Sequence, residues 1–245
     1  MSGEISGIIS KMKAQEMRLE VMSNNMANAN TVGFKEDRVF RLPESHSSVW
    51  DNLSGVLPKD ISSVPVYTFT NFDQGHLKET GNALDVALGG DGFFSIQTSQ
   101  GPQYTRKGNF ALNSDGTLVT QEGHPVLGKG GGKIQISGEK VVVSSNGAII
   151  VDGAEVDTLK IVDFADKKRL LKMGDSLYSQ QNPNDPGTPA DKTLVQQGYI
   201  EGSNVDAIKM MTEMIDVIRG YESYQKTLQY MNETNTKTNE IGKLS

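Results

Sequence analysis

"AIKMMTEMIDVIRGYESYQKTLQYM", residues 207–231, decides how this 245-residue chain is read. Ala207, Met210, Met214, Val217, Tyr221, Tyr224, Leu228 and Met231 follow one another in alternating steps of three and four. An α-helix turns once in about 3.6 residues, so those steps draw one apolar stripe along one face, the pattern of a coiled-coil seam. Ile208, Ile215 and Ile218 lie just beside it. Upstream, Ser203 or Asn204 is expected to cap the helix, with Asp206 favourably placed in its first turn. Downstream the seam turns polar in "NETNTKTNE", 232–240, whose Thr and Asn side chains compete for backbone bonds. That tail is expected to take its order from packing, with Ile241 and Leu244 resuming the apolar trace.

The other end of the chain mirrors this. Heptad spacing puts Ile5, Met12, Leu19 and Met26 at one seam position and Ile8, Gln15 and Met22 at the other. Six of those seven are apolar, and no proline interrupts them, which predicts an amphipathic helix. Its pattern ends at Gly33, a left-handed stop, with Phe34 as an apolar anchor. Six of the ten methionines lie on the two seams: Met12, Met22, Met26, Met210, Met214 and Met231. A flexible thioether suits a seam that packs in non-equivalent environments. Both stripes need an apolar partner, in the same subunit or in a neighbour.

Between the helices the period switches to two. Short runs such as "VYTFTNF", "GFFSIQT", "KVVVSS", "AIIV" and "TLKIVDF" are punctuated by Asp91-Gly92, Asp115-Gly116, Asn146-Gly147 and Asp152-Gly153, which are tight-turn formers. Many short strands with frequent turns predict an antiparallel β domain. The fold class is therefore α+β: a discontinuous, coiled-coil-like helical domain from residues 1–35 and 203–245, a proline- and serine-bearing connector over 36–65, and a central antiparallel all-β domain over 66–202.

Composition narrows the function. The absence of cysteine excludes disulfides, a thiol nucleophile and Cys-ligated zinc, and His46, His76 and His124 lack metal-site spacing. A net charge of −6 argues against a nucleic-acid partner. The segment to Lys35 carries four basic and three acidic side chains and that from Ser203 five basic and six acidic, so the two ends cancel and the region between them, 36–202, carries the −6. No apolar run is long enough for membrane insertion, and Met1–Glu4 lacks the basic start of a signal peptide. "GKGGGK", 128–133, is one residue short of a phosphate loop and has Ile134 where Ser or Thr is needed, so it reads as a glycine hairpin. Asp85 and Asp91 near Phe93 and Phe94 suggest a glycosidase-like dyad only by composition; Asp91 suits a turn and Asp85 the polar face of a strand. No cofactor is implied and no catalytic residue is assigned.

Three stretches carry a family resemblance. "SNNMANANTVGFK", 23–35, resembles the rod and hook signature of bacterial flagellar axial proteins. "GNALDVALGGDGFFSIQTSQGPQYTRKGNFALNSDGTLVTQEGHPVLG", 81–128, resembles the β-domain signature of the same family, and "EGSNVDAIKMMTEMIDVIRGYESYQKTLQYM", 201–231, its C-terminal one. The short connector resembles the rod members rather than the longer hook protein. Arg219-Gly220-Tyr221 and Gln225-Lys226, with "IVDFADKKRLLKMGDSLY" at 161–178, favour a proximal over a distal rod member. The resemblance implies a structural subunit of the flagellar basal-body rod, exported by the flagellar type III apparatus without a cleaved signal peptide and polymerised in the periplasm. It implies self-association and contacts with other rod proteins above and below. Ile5, Ile8, Met12, Leu19, Met22 and Met26 are then expected to pair with Met210, Met214, Val217, Tyr221, Tyr224, Leu228 and Met231, within or between subunits. Asn24, Asn25 and Asn28 are expected to face neighbouring subunits, where an amide both donates and accepts without the desolvation cost of an ion. The rival class is an adhesin or a glycan-binding or glycan-hydrolysing β scaffold with helical oligomerisation arms, which would keep its activity without those arms.

Overall fold

The computed structural model describes residues 2–41, 66–182 and 187–242. The expected connector falls mostly on 42–65, and Leu244 on the C-terminal tip; both lie outside the described residues. The chain forms two compact units, one of residues 1–27, 37–69 and 206–245, the other of 28–36 and 70–205. It is an α+β protein, with a helix at each end and an antiparallel β region between.

The first unit holds helix α1, Ser2–Ala27, helix α2, Ala207–Gly242, and a two-stranded sheet made by Asp37–Arg41 and Val66–Thr70. α1 stops at Ala27 rather than at Gly33, and residues 28–33 turn instead. Asp206, not Ser203 or Asn204, caps α2: its carboxylate accepts from the N–H groups of Ile208 at 3.1 Å and Lys209 at 3.0 Å, and its carbonyl takes the first helical bond from Met210 at 2.9 Å. Ser203 instead accepts from Val205 N–H. The polar tail stays helical to Gly242. There Thr234 and Thr236 donate their hydroxyls to the carbonyls four residues back, at 2.8 and 3.0 Å, so the competing groups bond the helix itself.

The second unit is built around a six-stranded antiparallel sheet in which Phe93–Thr98 lies between Gly101–Thr105 and Ile161–Asp163. Successive side chains of a strand point to opposite faces, and Phe93 and Phe94 exploit this. Phe94 joins Val86, Ile96, Phe110 and Ile149 in one apolar core, while Phe93 joins Tyr104, Val162, Phe164 and Tyr178 in a second, aromatic one. Edge-to-face rings hold both: Phe94 on Phe110 at 5.2 Å and Tyr104 on Phe164 at 4.8 Å between centroids. Of the four turn dipeptides only Asp152-Gly153 puts both residues at positive φ, +51° and +90°, closing the hairpin of Ala148–Val151 and Ala154–Thr158; in the other three the glycine alone does so. The glycines of 128–133 do close a hairpin, with Gly128 N–H bonded to Gly132 C=O at 2.8 Å and Leu127 bridged to Lys133. Asp85 is buried as an acceptor for Thr80 at 2.6 Å and Asn82 at 3.2 Å, and Asp91 is ion-paired with Lys167, so each carboxylate has a structural partner of its own.

Candidate assembly interface

Within the first unit α1 packs on α2, and the residues each turns inward are those of the heptad stripes. Met22, Met210 and Val217 are buried, and Ile5, Ile8, Met12, Leu19, Met26, Met214, Tyr221, Tyr224, Leu228 and Met231 are half-buried. Gln15, the polar exception on the seam, reaches Gly220. Gly33 N–H donates to Glu201 C=O at 2.7 Å, which brings the chain leaving α1 beside the chain entering α2, so the two packed helices run antiparallel.

The asparagines divide. Asn25 is 1% exposed, and its amide forms a two-bond ring with one residue: Nδ2 donates to Asp37 C=O at 2.7 Å and Oδ1 accepts from Asp37 N–H at 2.9 Å. That amide ties α1 to the strand that begins at Asp37, which corrects the expectation that it faces a neighbouring subunit. Asn24 is exposed, and Asn28 is half-buried, accepting the Thr31 hydroxyl at 3.1 Å.

The second unit contains a feature that the sequence reading passed over. Lys35, Arg106 and Glu201 are all buried, at 0, 2 and 0% exposure. Lys35 Nζ lies 2.6 Å from Glu201 Oε1 and Arg106 guanidinium 3.2 Å from Oε2, and Gly75 N–H donates to Oε1 at 2.9 Å. Lys35 also donates to Asp73 C=O at 2.7 Å, and Arg106 lies over the Phe93 ring at 5.1 Å. Two buried cations share one carboxylate. Burial accordingly holds the Lys35 ammonium below its ordinary pKa, more strongly than the Glu201 carboxylate raises it, and Arg106 lowers it further. Backbone bonds frame the cluster: Gly33 N–H donates to Glu201 C=O at 2.7 Å, and Asn204 accepts from Glu36 N–H at 2.7 Å while donating to Asn71 and Asp73 carbonyls at 2.9 and 3.0 Å. Gly33, at φ +66°, is required here, since a Cβ would stand 2.5 Å from Lys107 N.

Each of the three charges comes from a different one of the three signature stretches. Family comparison finds the same order: flagella basal body rod protein over residues 9–35, flagellar hook protein FlgE/F/G D1 domain over 87–159, and flagellar basal body rod FlgEFG protein C-terminal over 196–241. The FlgG rod protein of Bacillus subtilis is 37% identical over 250 residues, covering 90% of this chain and 91% of its own. The FlgF rod protein of Caulobacter vibrioides is 35% identical over 224 residues, covering 90% and 89%, and the FlgG rod protein of Agrobacterium fabrum 33% over 237, covering 89% and 90%. The chain belongs to the flagellar basal-body rod protein family. As a rod protein it is a structural subunit and not an enzyme, and it is located in the basal body, where rod proteins assemble with other rod components.

The rod protein's missed cluster had one legible sign. Lys35 is the one charged residue of its stretch, 23–35, and a charge among apolar, turn-forming and amide residues has structural work to do; Arg106 and Glu201 stand among other charges in theirs. Their mutual pairing was not legible, because Lys35 and Glu201 are 166 residues apart in sequence. The seam residues were legible because helical spacing is local. Among the described residues no helix is long and apolar enough to cross a membrane.

Proposed function

We propose that this rod subunit polymerises through its terminal helices into a shaft that transmits torque from motor to hook, with α1 and α2 of each copy closing as a short coiled coil. The observation that carries this reading is the burial of Met22, Met210 and Val217 along the two heptad stripes, which gives each subunit a stiff two-helix strut. Struts related by a rotation that does not close stack into a helical tube, and torque then passes through many parallel contacts. The helical segments 1–35 and 203–245 form the inner part of that tube and residues 66–202 lie outside it, with 36–65 as connector. Asn24 and Asn28 contribute amides to contacts between copies, each worth about 1 kcal/mol when paired.

The subunit reaches the periplasm through the flagellar type III export apparatus. Arg219-Gly220-Tyr221 and Gln225-Lys226 support a proximal, FlgF-type position, with the distal, FlgG-type position as the near alternative. Replacing Met214 and Val217 by Asp puts two carboxylates into the seam. A strain carrying only that variant is expected to lose swimming while the purified protein keeps the near-ultraviolet signature of its β region; normal swimming refutes the coiled-coil reading.

A further inference from the structure

The apolar and the charged parts of the second unit are completed at different points along the chain. Every buried member of its two apolar cores lies at or before Val195, and the aromatic core is complete at Tyr178. The carboxylate that answers Lys35 and Arg106 arrives only at Glu201, on the three-residue strand Tyr199–Glu201 that pairs with Leu77–Glu79.

Both cations are seated against the aromatic core. Arg106 lies over Phe93, and Lys35 bonds the carbonyl of Asp73, next to Phe72, whose ring meets Phe93 at 5.6 Å and Tyr178 at 5.3 Å. The turn at Gly33 covers the Arg106 backbone so closely that a Cβ there would stand 2.6 Å from Arg106 C. Closing this core therefore takes both cations out of water. Among the described residues each is ion-paired with Glu201 alone, and Arg106 Nε has no hydrogen-bond partner. The other carboxylates acting on them, Asp73 and Asp91, are exposed, and Asp91 is ion-paired with Lys167. A closed aromatic core without Glu201 would hold two unmatched buried charges, which desolvation strongly disfavours.

We infer that Glu201 is the closing piece of this unit: the aromatic core, although its buried residues are all present by Tyr178, does not close until the stretch Tyr199–Asn204 docks. Docking also makes backbone bonds, from Gly33 N–H to Glu201 C=O and from Gly202 N–H to His76 C=O at 2.8 Å, so these form together with the ion pairs. A chain is synthesised from its N-terminus, so Lys35 and Arg106 are present long before their carboxylate. The cluster thus works as a conformational lock, which withholds closure from a chain whose C-terminal stretch is missing or undocked. The inference goes beyond the rod-subunit reading and does not depend on it.

Refolding of the full-length chain from urea, sampled by pulsed hydrogen exchange, tests it. The backbone amides of the paired strands Gly101–Thr105 and Leu177–Gln180 are expected to gain protection in the same phase as Gly33 and Gly202, or after them. Protection of those strands in an earlier phase overturns the inference. Rates give a second reading. Glu201→Gln is expected to slow refolding at least tenfold, and by a larger factor than it speeds unfolding; a change mainly in unfolding places the ion pairs after core closure and overturns the lock. When Lys35→Met, Arg106→Met and Glu201→Gln are combined, no charge waits for a partner, and the two strands are expected to be protected before Gly202. If they still gain protection only with Gly202, charge is not what delays closure and the inference is overturned.

Discussion

Glu201 is the residue on which most of the β unit's buried polarity converges. Its carboxylate answers Lys35, Arg106 and Gly75 N–H, and its carbonyl answers Gly33 N–H. Glu201→Gln removes the only negative charge among two buried cations and is expected to cost about 3–5 kcal/mol in urea unfolding, the range for breaking a buried pair from one side. Lys35→Met removes one of the cations instead, leaving Glu201 matched one to one with Arg106, and should cost clearly less. The reverse order would show that the cluster is not held as an ion network. A pH effect separates them further. Because burial depresses the folded pKa of Lys35 below its ordinary 10.5, the unfolded chain binds more protons between the two values, and stability contributed by this group rises with pH across that window. Urea midpoints measured from neutral pH to about 10.5 should show that rise in the parent chain and lose it in Lys35→Met. Asn25→Ala leaves the Asp37 N–H and C=O without their amide partner and should cost about 1–3 kcal/mol, the penalty for an unsatisfied buried group.

At the scale of elements, the helices owe their extent to different causes. α2 begins where Asp206 captures two free N–H groups, so Asp206→Ala is expected to destabilise it by about 1 kcal/mol, seen as a loss of helical signal at the first turn by hydrogen exchange. α1 ends where its asparagine run finds better partners than the helix offers: Asn28 turns its carbonyl to Thr31 N–H and its amide oxygen to the Thr31 hydroxyl. The sequence reading carried α1 on to Gly33 because a glycine at the end of a stripe usually stops a helix. Gly33 takes the left-handed conformation, but in the turn beyond the helix, where its lack of a side chain admits the Arg106–Lys107 backbone. The strands were legible wherever a run alternates or a turn dipeptide closes it. "KIQI" at 133–136 also alternates and reads as a strand, yet it makes only isolated bridges at Lys133 and Gln135 instead of a continuous ladder.

For the whole molecule, the β unit has two apolar cores of its own and the helical unit has one shared seam. A chain lacking Ser2–Ala27 and Ala207–Gly242 is therefore expected to keep a cooperative unfolding transition and remain soluble, yet fail to restore swimming to a strain without the gene. Loss of the transition in that truncated chain would show that the β cores depend on the helices.

The amino-acid sequence by itself determined the period of each region, and with it the α+β class, the heptad stripes, the turn positions and the family signatures, because helical and strand spacing are properties of neighbours along the chain. Only the tertiary structure decided what those surfaces meet: that α1 packs on α2, that Asn25 bonds Asp37, and that Lys35, Arg106 and Glu201 share one buried site. These depend on groups brought together from far apart in sequence, where burial removes water and makes an unmatched charge or amide costly; no local spacing encodes which distant partner supplies the match.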